Sequence, residues 1–111
     1  MSLIDNLRKM LDSGQDSALL RYSLGTACHK AGDLQQARNH LAEAVRQDAA
    51  YSAAWKAYGR VLAELDCLDD AVEAFGRGIE VAEQKGDVQA AKEMKVFLKR
   101  VLRKKTDNMD T

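Results

Sequence analysis

Apolar residues recur along the chain at three- and four-residue intervals, as Leu24, Ala27, Cys28 and Ala31, and again as Leu34, Ala37, Leu41, Ala44 and Val45. This spacing lines up side chains on one face of a helix of roughly 3.6 residues per turn, and the alternation of a half-buried strand is absent. Two amphipathic helices are therefore predicted, at about 17–31 and 33–47. Shifting the sequence by 34 residues lays the pattern on itself: Gly25 falls on Gly59, Cys28 on Leu62, Ala31 on Leu65, Leu34 on Leu68, Ala37 on Ala71, Leu41 on Phe75, Ala44 on Gly78 and Val45 on Ile79. A fixed period of this size marks a repeated supersecondary unit. A second pair of helices is expected at about 51–65 and 68–85.

The breaks between helices carry suitable chemistry. Gly32 can leave the first helix in a left-handed conformation, and Asp33 followed by Gln36 resembles a capping box. Asp66, Asp69 and Asp70 form an acidic turn that is expected to cap the next helix rather than hold a cation. Gly25, Gly59, Ala37, Ala71, Ala44 and Gly78 stand where two backbones must approach closely, so a larger side chain would overpack the contact at a cost of about 1–3 kcal/mol. Gly76 and Gly78 lie within a helix and are expected to serve as packing contacts, not as a phosphate loop.

The flanks extend the same design. Shifted by one period, Leu7, Met10 and Leu11 fall on Leu41, Ala44 and Val45, so a helix at 3–12 should cap the stack. At the other end the register fails, because Lys92 and Glu93 would replace a large residue and a glycine. A last helix is expected at 87–105, covering the second unit with Val88, Ala91, Met94, Phe97, Leu98, Val101 and Leu102, and residues 106–111 are expected to be a disordered tail. The domain division is thus one domain over 1–105, with units at 17–49 and 51–85 between the capping helices.

Composition agrees with helices. The 111 residues include 17 alanines, no proline and 5% aromatics, which disfavours a β-sandwich. Lys plus Arg and Asp plus Glu are 17 each, so no global charge draws the chain to nucleic acid or an anionic membrane. The charges are sorted, however: residues 92–105 hold seven bases and one acid. No apolar run approaches the length of a membrane span and the first residues lack a signal pattern, so a soluble, cytoplasmic chain is expected. Cys28 and Cys67 are isolated, without a CxxC, and are expected to be reduced.

The run Trp55, Tyr58, Gly59, Leu62, Ala71, Phe75 and Gly78 resembles the tetratricopeptide repeat, with an aromatic, a large residue and a glycine in the first helix and an alanine, an aromatic and a small residue in the second. The first unit is similar at Leu24, Gly25, Cys28, Gly32, Ala37, Leu41 and Ala44, but has Arg21 where Trp55 stands. Ala49 and Glu83 occupy the places of the family's usual proline. The resemblance implies an all-α, right-handed solenoid of helical hairpins, about six antiparallel helices in all. It also implies that the first helix of each hairpin lines a concave, partner-binding face. Members that clamp chaperone peptides do so with Lys and Asn residues; the matching places here hold Tyr22, Thr26 and Ala57, so that clamp is not expected.

No convergent catalytic set is present. Cys28 and His29 are neighbours on a helix and point about 100° apart, with Cys28 on the core stripe; His40 falls on the outer side of its helix. The expected function is non-catalytic, an adaptor or scaffold that binds a peptide or helix of a partner protein. No cofactor or metal is called for. Candidate binding residues are Tyr22, Thr26, His29, Lys30, Lys56, Arg60 and Glu64, with Leu19 and Ala53 nearby, and Lys56 with Arg60 is expected to form a basic ridge for a carboxylate. Two units are few for such a stack, and its exposed ends also suit pairing into a homo-oligomer. The alternative is that the basic C-terminal helix binds nucleic acid or an anionic membrane.

Overall fold

The computed structural model describes residues 2–109. Among these, six helices and no strands occur: α1 (Leu3–Asp12), α2 (Ala18–Lys30), α3 (Leu34–Gln47), α4 (Ser52–Glu64), α5 (Leu68–Gln84) and α6 (Val88–Met109). The last helix continues four residues past its expected end, so residues 106–109 are helical and not a tail; residues 110 and 111 lie outside the described residues. Four helices start under an oxygen that accepts a backbone N–H: Ser2 from Asp5, Ser17 from Leu20, Asp33 from Gln36 and Asp87 from Ala90, each at 3.1 Å. Such caps satisfy donors that have no partner inside the helix. The acidic turn departs from expectation. Neither Asp66 nor Asp69 caps α5; Asp66 instead adopts the left-handed conformation (φ 64°) that Gly32 (φ 83°) adopts one period earlier.

Helices α2 and α3 form one hairpin and α4 and α5 the next, with α1 laid on α2 and α6 on α5. The first helices of the units, together with α6, stand side by side, since α4 touches both α2 and α6. The shortest molecular dimension is 19 Å, the thickness of two helix layers. Trp55, Phe75, Ile79, Met94 and Val101 anchor the main core, and Leu41, Val61 and Cys28 a second cluster. Burial of the Cys28 thiol pushes its pKa up, which keeps it protonated and unreactive. At the capping helices the coverage is thinner than expected: Val88, Leu102 and Met10 are exposed, and no α1 residue is fully buried.

The glycines explain how the layers close. A Cβ built on Gly25 would sit 2.5 Å from Leu41 Cγ, and one on Gly59 would sit 2.7 Å from the Phe75 ring. At Gly78 it would collide with the Met94 sulfur and with Trp55 Cβ, so this residue seats α4 and α6 together against α5. Gly76 is different: nothing lies within 4 Å of its Cβ direction, so it makes no close packing contact. Where the family proline is missing, the α3–α4 junction is held by the Trp55 indole, which donates to the Ala49 carbonyl at 2.8 Å.

His40 is buried, not outward-facing. Arg21 Nη1 donates to its Nδ1 at 3.3 Å, which requires a neutral ring protonated on Nε2. The same guanidinium is held by the Asp16 carboxylate through two bonds of 2.9 Å, and Gln47 donates to Asp16 as well. These donors hold the Asp16 carboxyl far below its usual range. Burial first, and then the positive charge of Arg21, depresses the His40 pKa below 6.5.

Two stability predictions follow from this packing. Gly59→Ala should destabilise the fold by about 1–3 kcal/mol through overpacking, whereas Gly76→Ala should stabilise it by roughly 0.5–1 kcal/mol through helix propensity; urea unfolding of the two variants checks the opposite signs. The His40 window is set by its depressed native value. Stability is whole above about pH 6.5, where unfolded histidine is also neutral, and is lost as pH falls below that value because only the unfolded state gains the proton. Thermal melts between about pH 7 and pH 5 should fall in the native chain more steeply than in His40→Gln, by at most about 1.4 kcal/mol per pH unit.

Candidate functional site

The side of the stack built from α2, α4 and α6 carries surface hollows. Tyr22, Thr26, His29 and Lys30 of α2 and Lys56 and Arg60 of α4 line one groove of about 480 Å³, floored by Ala53 and Ala57. The alanines leave this groove open because they fill so little of the space between the two helices. Six of the seven predicted residues therefore meet in one place. The seventh, Glu64, lies beyond the end of the groove, where its carboxylate reaches His29 Nε2 at 2.5 Å. Leu19 is exposed but does not line the groove. Tyr22 is half-buried and spends one face on Tyr51, with ring centroids 5.1 Å apart.

Lys56 and Arg60 do not form a free basic ridge. Lys56 Nζ donates to Glu93 Oε2 of α6 at 3.2 Å, and the Arg60 guanidinium lies over the Phe97 ring, 5.1 Å from its centroid. Residues from α6 that the sequence pattern did not suggest thus share the site. Between α4 and α6 lies a second hollow of about 220 Å³, lined by Arg60, Ala63, Glu64, Phe75, Phe97, Arg100 and Val101. Arg60 stands between the two hollows and lines both. The signal for Phe97 was its place in the apolar stripe of α6, but periodicity alone could not distinguish a core position from a half-exposed one.

The basic helix is partly neutralised within the molecule. Lys95 pairs with Glu83 at 3.3 Å, Lys104 with Asp66 at 2.7 Å and Lys105 with Asp69 at 2.5 Å. The acidic turn before α5 is therefore a docking point for α6. Among the described residues Lys92, Lys99 and Arg103 have no ion-pair partner. Among the described residues no group of three His, Cys, Asp or Glu side chains is placed to hold a metal ion, and no helix is long and apolar enough to cross a membrane.

Stacked helix hairpins with a grooved face of first helices define a helical-repeat solenoid. The model of the family described as Tetratricopeptide repeat matches residues 29–95, and the chain belongs to that family. It is similar to a TPR repeat-containing protein of Pseudomonas aeruginosa, 43% identical over 104 residues that span 94% of this chain and 99% of that protein. The solution structure of a Bordetella parapertussis protein superposes with a TM-score of 0.79 at 35% identity, covering 94% of this chain and 90% of that one. The crystal structure of a tetratricopeptide repeat domain protein from Salinibacter ruber gives a TM-score of 0.72 at 26% identity, covering 78% of this chain and 96% of that one.

Proposed function

We propose that the chain is a non-catalytic binding module whose α2–α4 groove receives an extended segment or a helix of a partner protein. The observation that supports this most is the convergence of Tyr22, Thr26, His29, Lys30, Lys56 and Arg60 around one open groove with an alanine floor. Family membership supports the coarser part, because tetratricopeptide repeats generally mediate contacts between proteins. A groove of this kind offers apolar floor for burial and polar rim groups for orientation, the combination on which peptide recognition rests. Lys30 is exposed and has no ion pair among the described residues, so it can meet a partner carboxylate without first breaking such a contact.

The competing use of α6 as a surface for nucleic acid or anionic membrane draws on a smaller charge than its sequence suggested, since Lys95, Lys104 and Lys105 are already paired. The C-terminal helix serves here first as a wall of the stack.

Site-specific photocrosslinking in cells separates these uses. A photoreactive residue at Ala57, in the groove, should yield a discrete adduct with a partner protein, and the same residue at Glu80, exposed on the outer side of α5, should not. Thr26→Arg, which blocks the groove, and Lys30→Glu should each reduce the Ala57 adduct about tenfold, the equivalent of about 1.4 kcal/mol. Equal adducts from both positions, or none from Ala57 with α6 crosslinking to nucleic acid, would overturn the assignment.

A further inference from the structure

The hollow between α4 and α6 combines a floor of large apolar side chains with two guanidinium groups at its rim. Phe75 and Val101 are buried beneath it, and the half-buried Phe97 ring stacks on Phe75 at 5.7 Å with an interplanar angle of 11°. Two guanidinium groups lie against that ring, Arg60 at 5.1 Å and Arg100 at 5.7 Å from its centroid. Contact with an aromatic face positions a guanidinium but does not use its N–H donors.

Among the described residues neither arginine has a carboxylate partner, although acidic residues surround the site. Glu93 is taken by Lys56, Asp66 by Lys104 and Asp69 by Lys105, while Glu64 lines the hollow itself and bonds to His29 Nε2 at 2.5 Å. Two guanidinium groups against the one carboxylate of Glu64 leave the rim of the apolar hollow with a positive excess. An apolar space of about 150 Å³ can hold a benzene ring, so one of about 220 Å³ has room for a leucine or phenylalanine side chain.

We propose that this hollow is a specificity subsite that takes a large apolar side chain of a bound peptide while Arg60 and Arg100 pair with an internal Asp or Glu beside it. The inference rests on the concave-face function proposed above and adds the chemistry of the segment that binds. The carboxylate belongs to a side chain in mid-peptide because Arg60 also lines the α2–α4 groove. A ligand that fills both hollows therefore runs past Arg60 and continues. Charge-assisted, two-pronged bonds from a guanidinium favour a planar carboxylate over a single acceptor.

The test is an NMR titration of the full, nitrogen-15-labelled chain with a twelve-residue peptide, acetylated and amidated, bearing one Leu-Asp pair in a Ser/Gly background. Saturable shifts are expected at the Arg60 and Arg100 side-chain Nε–H signals and at the Phe97 amide. Replacing the peptide's Asp by Asn, or its Leu by Ser, should weaken binding at least tenfold. Arg100→Gln should do the same while leaving the amide shifts of α2 and α3 in place. Equal binding of the Asn peptide overturns the proposal, as does equal binding of a peptide that lacks Asp and ends in a free Leu carboxylate. Shifts confined to Tyr22, Thr26 and Lys30, insensitive to Arg100→Gln, would also remove the subsite yet leave the groove function standing. No shift at several millimolar peptide rejects the subsite, whereas loss of the Ala57 crosslink rejects the groove itself.

Discussion

Everything in this stack depends on three places where a helix carries no side chain and the facing helix fills the space instead. Leu41 occupies that space at Gly25, the Phe75 ring at Gly59, and Met94 together with Trp55 at Gly78. The first two close the hairpins. The third joins the second unit to its cap, because it lets α4 and α6 both approach α5. A fold built from so much alanine has little apolar area to bury per residue, so it must gain cohesion by bringing helices close enough for many small dispersion contacts. Gly78 thereby controls more than stability: the seat it gives Met94 sets the rotation of α6, and with it the presentation of Glu93, Phe97 and Arg100 beside α4.

The two units solve the same packing problem with different chemistry. Trp55 and Ala74 of the second unit stand one period from Arg21 and His40 of the first. Trp55 is buried and satisfies its one donor on the Ala49 carbonyl. Arg21 needs acceptors, and it finds them in Asp16 and the neutral ring of His40. The substitution of a large apolar residue by a cation is tolerable in that place because its partners changed with it, from alanine to histidine and from loop backbone to a carboxylate. The cost is a buried histidine that must stay uncharged beside a guanidinium.

The hairpins were legible because a helix period and a repeat period reinforce each other over two units, and because small residues mark the contacts. The groove was legible in its α2 and α4 walls for the same reason: positions off the core stripe on first helices must face one side. What the pattern could not reveal was the α6 wall. With Glu93 where the period puts a glycine, α6 leaves the repeat register, and its rotation is decided by Met94 meeting Gly78. His40 was hidden for a related reason, since a polar residue next to an apolar stripe reads as solvent-facing unless its donor, nineteen positions earlier at Arg21, is known. The acidic turn misled in the same way: its carboxylates face α6 through long-range pairs that no local capping rule contains.

The character of the concave side then comes from how cheaply each of its contacts can be exchanged. The Lys56–Glu93 and His29–Glu64 pairs are partly exposed, and ion pairs at such surfaces contribute about 0–1 kcal/mol. A ligand can displace them at small cost, so they keep the groove ordered without closing it. Arg60 and Arg100 are held by a ring and not by acids, so an incoming carboxylate need break no bond to reach them. A surface whose cations are positioned in advance but left unpaired spends less of its binding energy on rearrangement. By that argument the C-terminal capping helix, which leaves the repeat register, would do most to decide what the proposed site can bind.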